Sequence, residues 1–312
     1  MPRNFLSVDD LEPAELRQLL DLSAAVKAAP DRYADGLRGK AIALIFEKPS
    51  TRTRVSFEVA VAGLGAHPLV ISSTELQLGR GETIEDTGRV LSRYVDCVVL
   101  RTFGQERLEA LAKTSDVPVV NSLSDFEHPC QCLADLMTIH ERRGELRGLT
   151  LTFIGDGNNV AHSLLLGGAM SGMNVRVATP VGFEPIPQVV QRAKELASDS
   201  GSVVEVTNDP VAAAAGADVL YTDVWASMGQ EAEAGERTLV FRQYKVDQAA
   251  VDRAAPDVVV LHCLPAHRGQ EITDEVIDGP HSAVWDQAEN RLHTAKALLL
   301  WILGSEPANE LR

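Results

Sequence analysis

The run Ser50-Thr51-Arg52-Thr53-Arg54 puts three hydroxyls and two guanidinium groups within five residues. Where such a run opens a helix, the first backbone N–H groups lack intrahelical acceptors and the helix dipole is positive, so the place suits an anion. Several charge-assisted bonds could hold a phosphate there. The plainer alternative is a Ser N-cap followed by solvated arginines. Arg52 and Arg54 lie two apart, roughly 200° around a helix, so both cannot face one ligand. Arg52 is assigned to the ligand and Arg54 to structure. Arg101 and the run His128-Pro129-Cys130-Gln131 supply a guanidinium, an imidazole and a carboxamide. Together they could polarise a carbonyl oxygen and support charge developing on it; taken singly they are a surface ion-pair Arg and a capping His. A metal site on His128, Cys130 and Cys132 lacks a second ligand pair and is not expected.

Gly155-Asp156-Gly157-Asn158-Asn159 looks superficially like a dinucleotide loop. The fingerprint needs a third glycine where this chain has Val160, which disfavours a dehydrogenase. The two asparagines either cap a helix or hold a polar ligand group, since an amide both donates and accepts. The last group contains Asp223, Ser227-Met228-Gly229, His262-Cys263-Leu264-Pro265 and Arg291. Asp223 is a turn former or the partner of a substrate ammonium. Cys263 is a buried apolar thiol or a reactive one. Neighbours in a strand point to opposite faces, so His262 is a poor base for Cys263, and no covalent thioester is expected.

These groups need a scaffold that brings loop ends together. Strands are predicted at 40–46 (KAIALIF), 69–72, 97–100 and 117–120, alternating with helices over 50–64, 82–94, 105–113 and 130–143. A second series has strands at 149–154, 175–178, 203–206, 219–222 and 258–261. An amphipathic helix within 8–26 opens the chain, with Asp9 or Asp10 as cap and Pro13 in its first turn. A helix over 291–303 closes it, and 230–237 reads as an acidic, strandless surface loop. Strand–helix alternation implies α/β architecture: two doubly wound domains, each a central parallel sheet flanked by helices, joined by interdomain helices. The boundary is placed near Gly148, giving domains 1–147 and 148–312, with helix 291–304 packing back on the first. In such sheets ligands bind beyond the carboxyl ends of the strands, where these groups fall apart from Arg291, which opens the last helix.

Length and composition agree with two packed domains. The chain has 312 residues, about twice a ~150-residue domain, with 45% hydrophobic and 23% charged residues. Its 29 Lys+Arg against 44 Asp+Glu give 29 − 44 = −15. That charge disfavours nucleic acid and anionic membranes as partners. The first ten residues carry no apolar run and no stretch reaches ~18 apolar residues, so a cytoplasmic protein is expected. Cys97, Cys130, Cys132 and Cys263 are expected as free thiols.

Taken together, 46–58 (FEKPSTRTRVSFE), Arg101-Thr102-Phe103, His128-Pro129-Cys130-Gln131, Asp223 with Ser227-Met228-Gly229, and His262-Cys263-Leu264-Pro265 closely resemble the aspartate/ornithine carbamoyltransferase family, in its ornithine branch. The resemblance implies that Ser50, Thr51, Arg52 and Thr53 bind the phosphate of carbamoyl phosphate, and that Gln77, Arg101, His128 and Gln131 complete the donor site. It implies Asn159, Asp223, Ser227 and Met228 as contacts of L-ornithine, with Cys263, Leu264 and Arg291 closing the site. Arg52, Arg101, His128 and Cys263 are its catalytic candidates. It further implies arginine biosynthesis, a homotrimer or a higher assembly of trimers, and no metal or organic cofactor. Carbamoyl transfer to aspartate or putrescine, a catabolic role, and a non-enzymatic phosphate-binding protein are the rival readings.

Overall fold

The computed structural model describes residues 2–72, 81–226 and 234–304. Two compact units appear, Met1–Met137 with Glu289–Arg312, and Thr138–Ala288. The boundary expected at Gly148 lies beyond the helix in which the chain passes from the first unit to the second.

The first unit starts with α1 (Pro13–Ala28), followed by β1 (Ala41–Phe46), α2 (Thr51–Ala62), β2 (His67–Ser72) and α3 (Ile84–Leu91). It continues through β3 (Cys97–Arg101), α4 (Gln105–Thr114), β4 (Val119–Leu123) and the start of α5 (Pro129–Arg143). The four strands are parallel in the order β2-β1-β3-β4. Their near-continuous apolar runs fit strands covered on both faces. Ala43, Ile45, Val98, Leu100 and Val119 form one core with Leu108 and Leu111 of α4. Asp9 and Asp10 do not cap α1. The Asp10 carboxylate instead accepts the N–H groups of Leu6 and Ser7 at 2.6 and 3.0 Å, and α1 starts with Pro13 in its first position.

The second unit contains β5 (Thr150–Ile154), α6 (Asn159–Met170), β6 (Asn174–Ala178), α7 (Pro187–Ser200), β7 (Val204–Thr207) and α8 (Pro210–Ala214). Then come β8 (Val219–Thr222), α9 (Ala234–Phe241), α10 (Gln248–Val251), β9 (Val259–His262), α11 (Asp274–Ile277) and α12 (Val284–Ile302). Its five strands are parallel in the order β7-β6-β5-β8-β9. The chain returns to the first unit within α12. Of the expected acidic loop, 230–233 lie outside the described residues and 234–237 are the first turn of a helix.

In each sheet the first strand of the series sits inside and the chain winds away from it in both directions. The order therefore reverses between β1 and β3 in one sheet and between β5 and β8 in the other. A crevice opens at such a switch point.

Candidate active site

The first switch point gathers the cationic residues. Phe46 and Arg101, the last residues of β1 and β3, are register partners, and the Glu47 N–H donates to the Arg101 carbonyl at 2.9 Å. The β1–α2 loop thus leaves the sheet beside the Arg101 side chain. Ser50 is the N-cap of α2, its Oγ accepting from the Thr53 N–H at 3.2 Å. The capping alternative is therefore observed, and it does not compete with anion binding, because the same hydroxyl can still donate its O–H. Thr51 and Arg52 are exposed and Thr53 is buried. Arg54 pairs with Glu58 one turn on, at 3.6 Å, the structural part assigned to it.

Thr53 Oγ1 accepts from Arg101 Nη1 at 3.3 Å and from Arg291 Nη2 at 3.4 Å. Arg291 Nη1 donates to Gln131 Oε1 at 2.5 Å, and Gln131 Nε2 donates to Asp135 Oδ1 at 2.8 Å. A chain Asp135–Gln131–Arg291–Thr53–Arg101 therefore links α5, α12, α2 and β3. Arg291, which the resemblance places among the residues that close the site, is bonded to Gln131 and Thr53. The Gln131 carboxamide spends its oxygen and one N–H on aiming that guanidinium. Two guanidinium groups on one hydroxyl concentrate positive charge that a phosphate dianion would balance.

His128 is buried next to this cluster. Burial, reinforced by the charges of Arg291 and Arg101, holds its imidazole well below the usual histidine range, so it is neutral at pH 7. A neutral imidazole N–H can still donate to a developing oxyanion. Cys130 and Cys132 stay thiols: burial pushes Cys130 up to about 12 and raises Cys132 as well, and Cys130 Sγ donates to the Asn121 carbonyl at 3.2 Å.

The second switch point has a different chemistry. Asn158, not Asn159, is the N-cap of α6, with Oδ1 accepting from the N–H groups of Val160 and Ala161 at 2.9 and 3.2 Å. Those are the donors a dinucleotide pyrophosphate would need. Its Nδ2 donates to Asp223 Oδ2 at 2.9 Å, and Cys263 Sγ donates to Asp223 Oδ1 at 3.0 Å. Asn159 follows in the first turn of α6, partly exposed. Asp223 is buried, Cys263 half-buried, and Leu264 adopts a left-handed backbone at φ 60°, a conformation few non-glycine residues hold.

His262 is fully buried and faces away from catalysis on Cys263. Its Nδ1 accepts the Leu264 N–H at 2.9 Å, which places its proton on Nε2, 3.1 Å from Glu271 Oε1. The ring braces the Leu264 turn. Asp223, His262 and Cys263 offer metal-type donor atoms within 4.8 Å of one another. Both His262 nitrogens are engaged, by Leu264 and Glu271, and the Cys263 thiol is bonded to Asp223. Gln77, Ser227 and Met228 lie outside the described residues.

Comparison with known proteins also divides the chain in two, between residues 141 and 147, with residues 289–302 counted in the second part. Residues 3–141 match the profile described as aspartate/ornithine carbamoyltransferase, carbamoyl-P binding domain, and residues 147–302 that described as the Asp/Orn binding domain. The ornithine carbamoyltransferase of Parafrankia sp. is 58% identical over 311 residues, covering 98% of both chains. That of Rhodococcus opacus is 56% identical over 310 residues, again with 98% of each covered. Among solved structures, the ornithine carbamoyltransferase of Pyrococcus furiosus aligns with a TM-score of 0.94 at 52% identity over 97% of each chain. The anabolic enzyme of Campylobacter jejuni aligns at 0.91 and 37% identity, covering 96% of this chain and 98% of that one.

Proposed function

The chain belongs to the aspartate/ornithine carbamoyltransferase family, and from that premise we propose that it transfers the carbamoyl group of carbamoyl phosphate to the δ-amine of L-ornithine, giving L-citrulline and phosphate. The observation that carries this reading is the paired guanidinium cluster on Thr53 beside neutral His128, at the switch point that follows the STRTR loop. Ser50, Thr51, Arg52 and Thr53 take the phosphate. Arg101 and His128 donate to the carbamoyl oxygen as the δ-amine adds and charge collects there. The tetrahedral intermediate collapses by breaking the bond to phosphate, and the departing phosphate takes the amine proton.

The attacking amine must be neutral. With a Lys-like pKa of ~10.4, deprotonation at pH 7 costs roughly 4.6 kcal/mol. A carboxylate next to that amine would favour the charged form. Asp223 therefore suits the α-ammonium of ornithine, while the Cys263-Leu264 turn orients the δ-amine. Asn159, Ser227 and Met228 complete the amino-acid contacts, and Gln77 the donor contacts. The acceptor is ornithine because the named relatives at 56–58% identity are ornithine carbamoyltransferases. The anabolic enzyme among the structural relatives supports a place in arginine biosynthesis, and the family resemblance supports a cytoplasmic homotrimer.

One assay tests the reading: carbamoyl phosphate with ornithine, aspartate or putrescine, followed by colorimetric detection of ureido products. Citrulline formation at a rate well above the other two is expected. Turnover only with aspartate or putrescine would overturn the acceptor, and no turnover with any amine would overturn the enzyme.

A further inference from the structure

Each switch point is spanned by an ion pair that none of the substrate assignments uses. At the first, Glu47 sits one residue beyond β1. Its carboxylate accepts Arg107 Nε at 3.0 Å, Arg107 Nη2 on its other oxygen, and the hydroxyl of Thr102, the residue after β3. At the second, Asp156 sits two residues beyond β5. Arg237 of α9 donates Nη1 to Asp156 Oδ2 at 2.7 Å and to the carbonyl of Trp225, three residues beyond β8, at 2.9 Å. The Arg237 guanidinium also lies 5.0 Å from the Phe183 ring centroid. The two arrangements match in kind: an acid after the strand that starts the winding, and an arginine on the helix that follows the strand across the crevice.

We propose that Glu47–Arg107 and Asp156–Arg237 are positioning pairs, each holding shut the base of one crevice and setting the geometry of one substrate's contacts alone. This rests on the functional reading above. Glu47 lies three residues before Ser50, and Thr102 adjoins Arg101, so the first pair fixes the spacing of the phosphate loop from Arg101. Asp156 lies two residues before Asn158 and Trp225 two after Asp223, so the second pair fixes the Asn158–Asp223 contact. Exposed ion pairs contribute little. Here the Glu47, Arg237 and Asp156 side chains are only 9, 11 and 13% exposed, while Arg107 is 35% exposed, so in each pair the carboxylate is shielded from water and loss of its arginine strands it. A misplacement of about 1 Å in a substrate-positioning group can cost up to about a hundredfold in rate.

The test is a crossed set of variants in the full chain: Arg107→Gln, Arg237→Gln, the conservative Arg107→Lys and Arg237→Lys, and Asp156→Asn. Steady-state constants for each substrate are measured with the other saturating. Arg237→Gln and Asp156→Asn are expected to raise the ornithine KM by about tenfold or more with the carbamoyl phosphate KM within about twofold of wild type. Arg107→Gln is expected to do the reverse. The Lys variants keep the charge but not the fork, so intermediate shifts in the same single constant are expected. If a Gln variant is not recovered folded, the Lys variant at that position is judged by the same criterion. Equal shifts in both constants, or a fall in melting temperature with neither constant changed, would overturn the proposal. Wild-type protein that forms no citrulline would instead overturn the functional reading.

Discussion

At the scale of single residues, the site depends on what each side chain has left to give after its structural bonds are counted. Arg52 and Arg54 of the STRTR run are both exposed, but Arg54 is paired with Glu58. Arg52→Ala is expected to lower kcat/KM for carbamoyl phosphate by about tenfold or more, the equivalent of a charged hydrogen bond of about 1.5–3 kcal/mol. Steady-state kinetics on the purified variant check this, and an unchanged value would remove Arg52 from the site. His128 carries a pH signature. Its folded-state pKa is depressed by burial and by Arg291 and Arg101. Below about pH 6.5 the unfolded chain therefore takes up a proton that the folded protein refuses. Stability therefore decreases as the pH is lowered through that range, by up to about 1.4 kcal/mol per unit from this group. Urea unfolding of wild type and His128→Asn at pH 7.5 and 5.5 measures it, and the variant is expected to lose less stability between the two.

The elements place these residues, and the tightest constraint falls on a glycine in the β5–α6 loop. A Cβ on Gly157 would lie 2.3 Å from the Pro185 nitrogen and 2.6 Å from both the Glu184 carbonyl carbon and the Phe183 oxygen. All three are backbone atoms. Gly157→Ala must push the loop that carries Asn158 away from 183–185, at a cost of about 1–3 kcal/mol. A lower melting temperature and a raised ornithine KM are the expected outcome. Most elements were legible in the sequence because buried parallel strands are apolar runs and the helices between them keep a 3.6-residue period. Asn158 was harder, since two adjacent asparagines are equivalent to a pattern and only the backbone shows which one caps. The pairings of Arg291 and Arg237 were not legible for another reason: their partners lie 160 and 81 residues away in sequence, and no local period encodes a long-range pairing. Asp10 failed as a helix cap because nearer N–H groups, those of Leu6 and Ser7, claimed its carboxylate.

For the whole molecule, a net charge of −15 and a phosphate-bearing substrate look incompatible until the cations are located. The arginines on Thr53 raise the potential locally, and the acidic surface repels extended polyanions without reaching far at physiological salt. Inorganic phosphate alone is thus expected to stabilise the protein, by about 2.7 kcal/mol at a hundred times its dissociation constant. A thermal-shift titration reads this, and the shift should shrink in Arg52→Ala. The unit boundaries also impose an order on synthesis. Residues 289–304 belong with the first 137, so a chain emerging from the ribosome finishes the ornithine half before the phosphate half has its last helix. Until then the first unit lacks the apolar residues Leu298, Leu299 and Ile302 and the guanidinium of Arg291. Carbamoyl phosphate binding is therefore expected to be the last property the nascent protein acquires, and a chain broken off before Glu289 is expected to bind carbamoyl phosphate more weakly than the full chain.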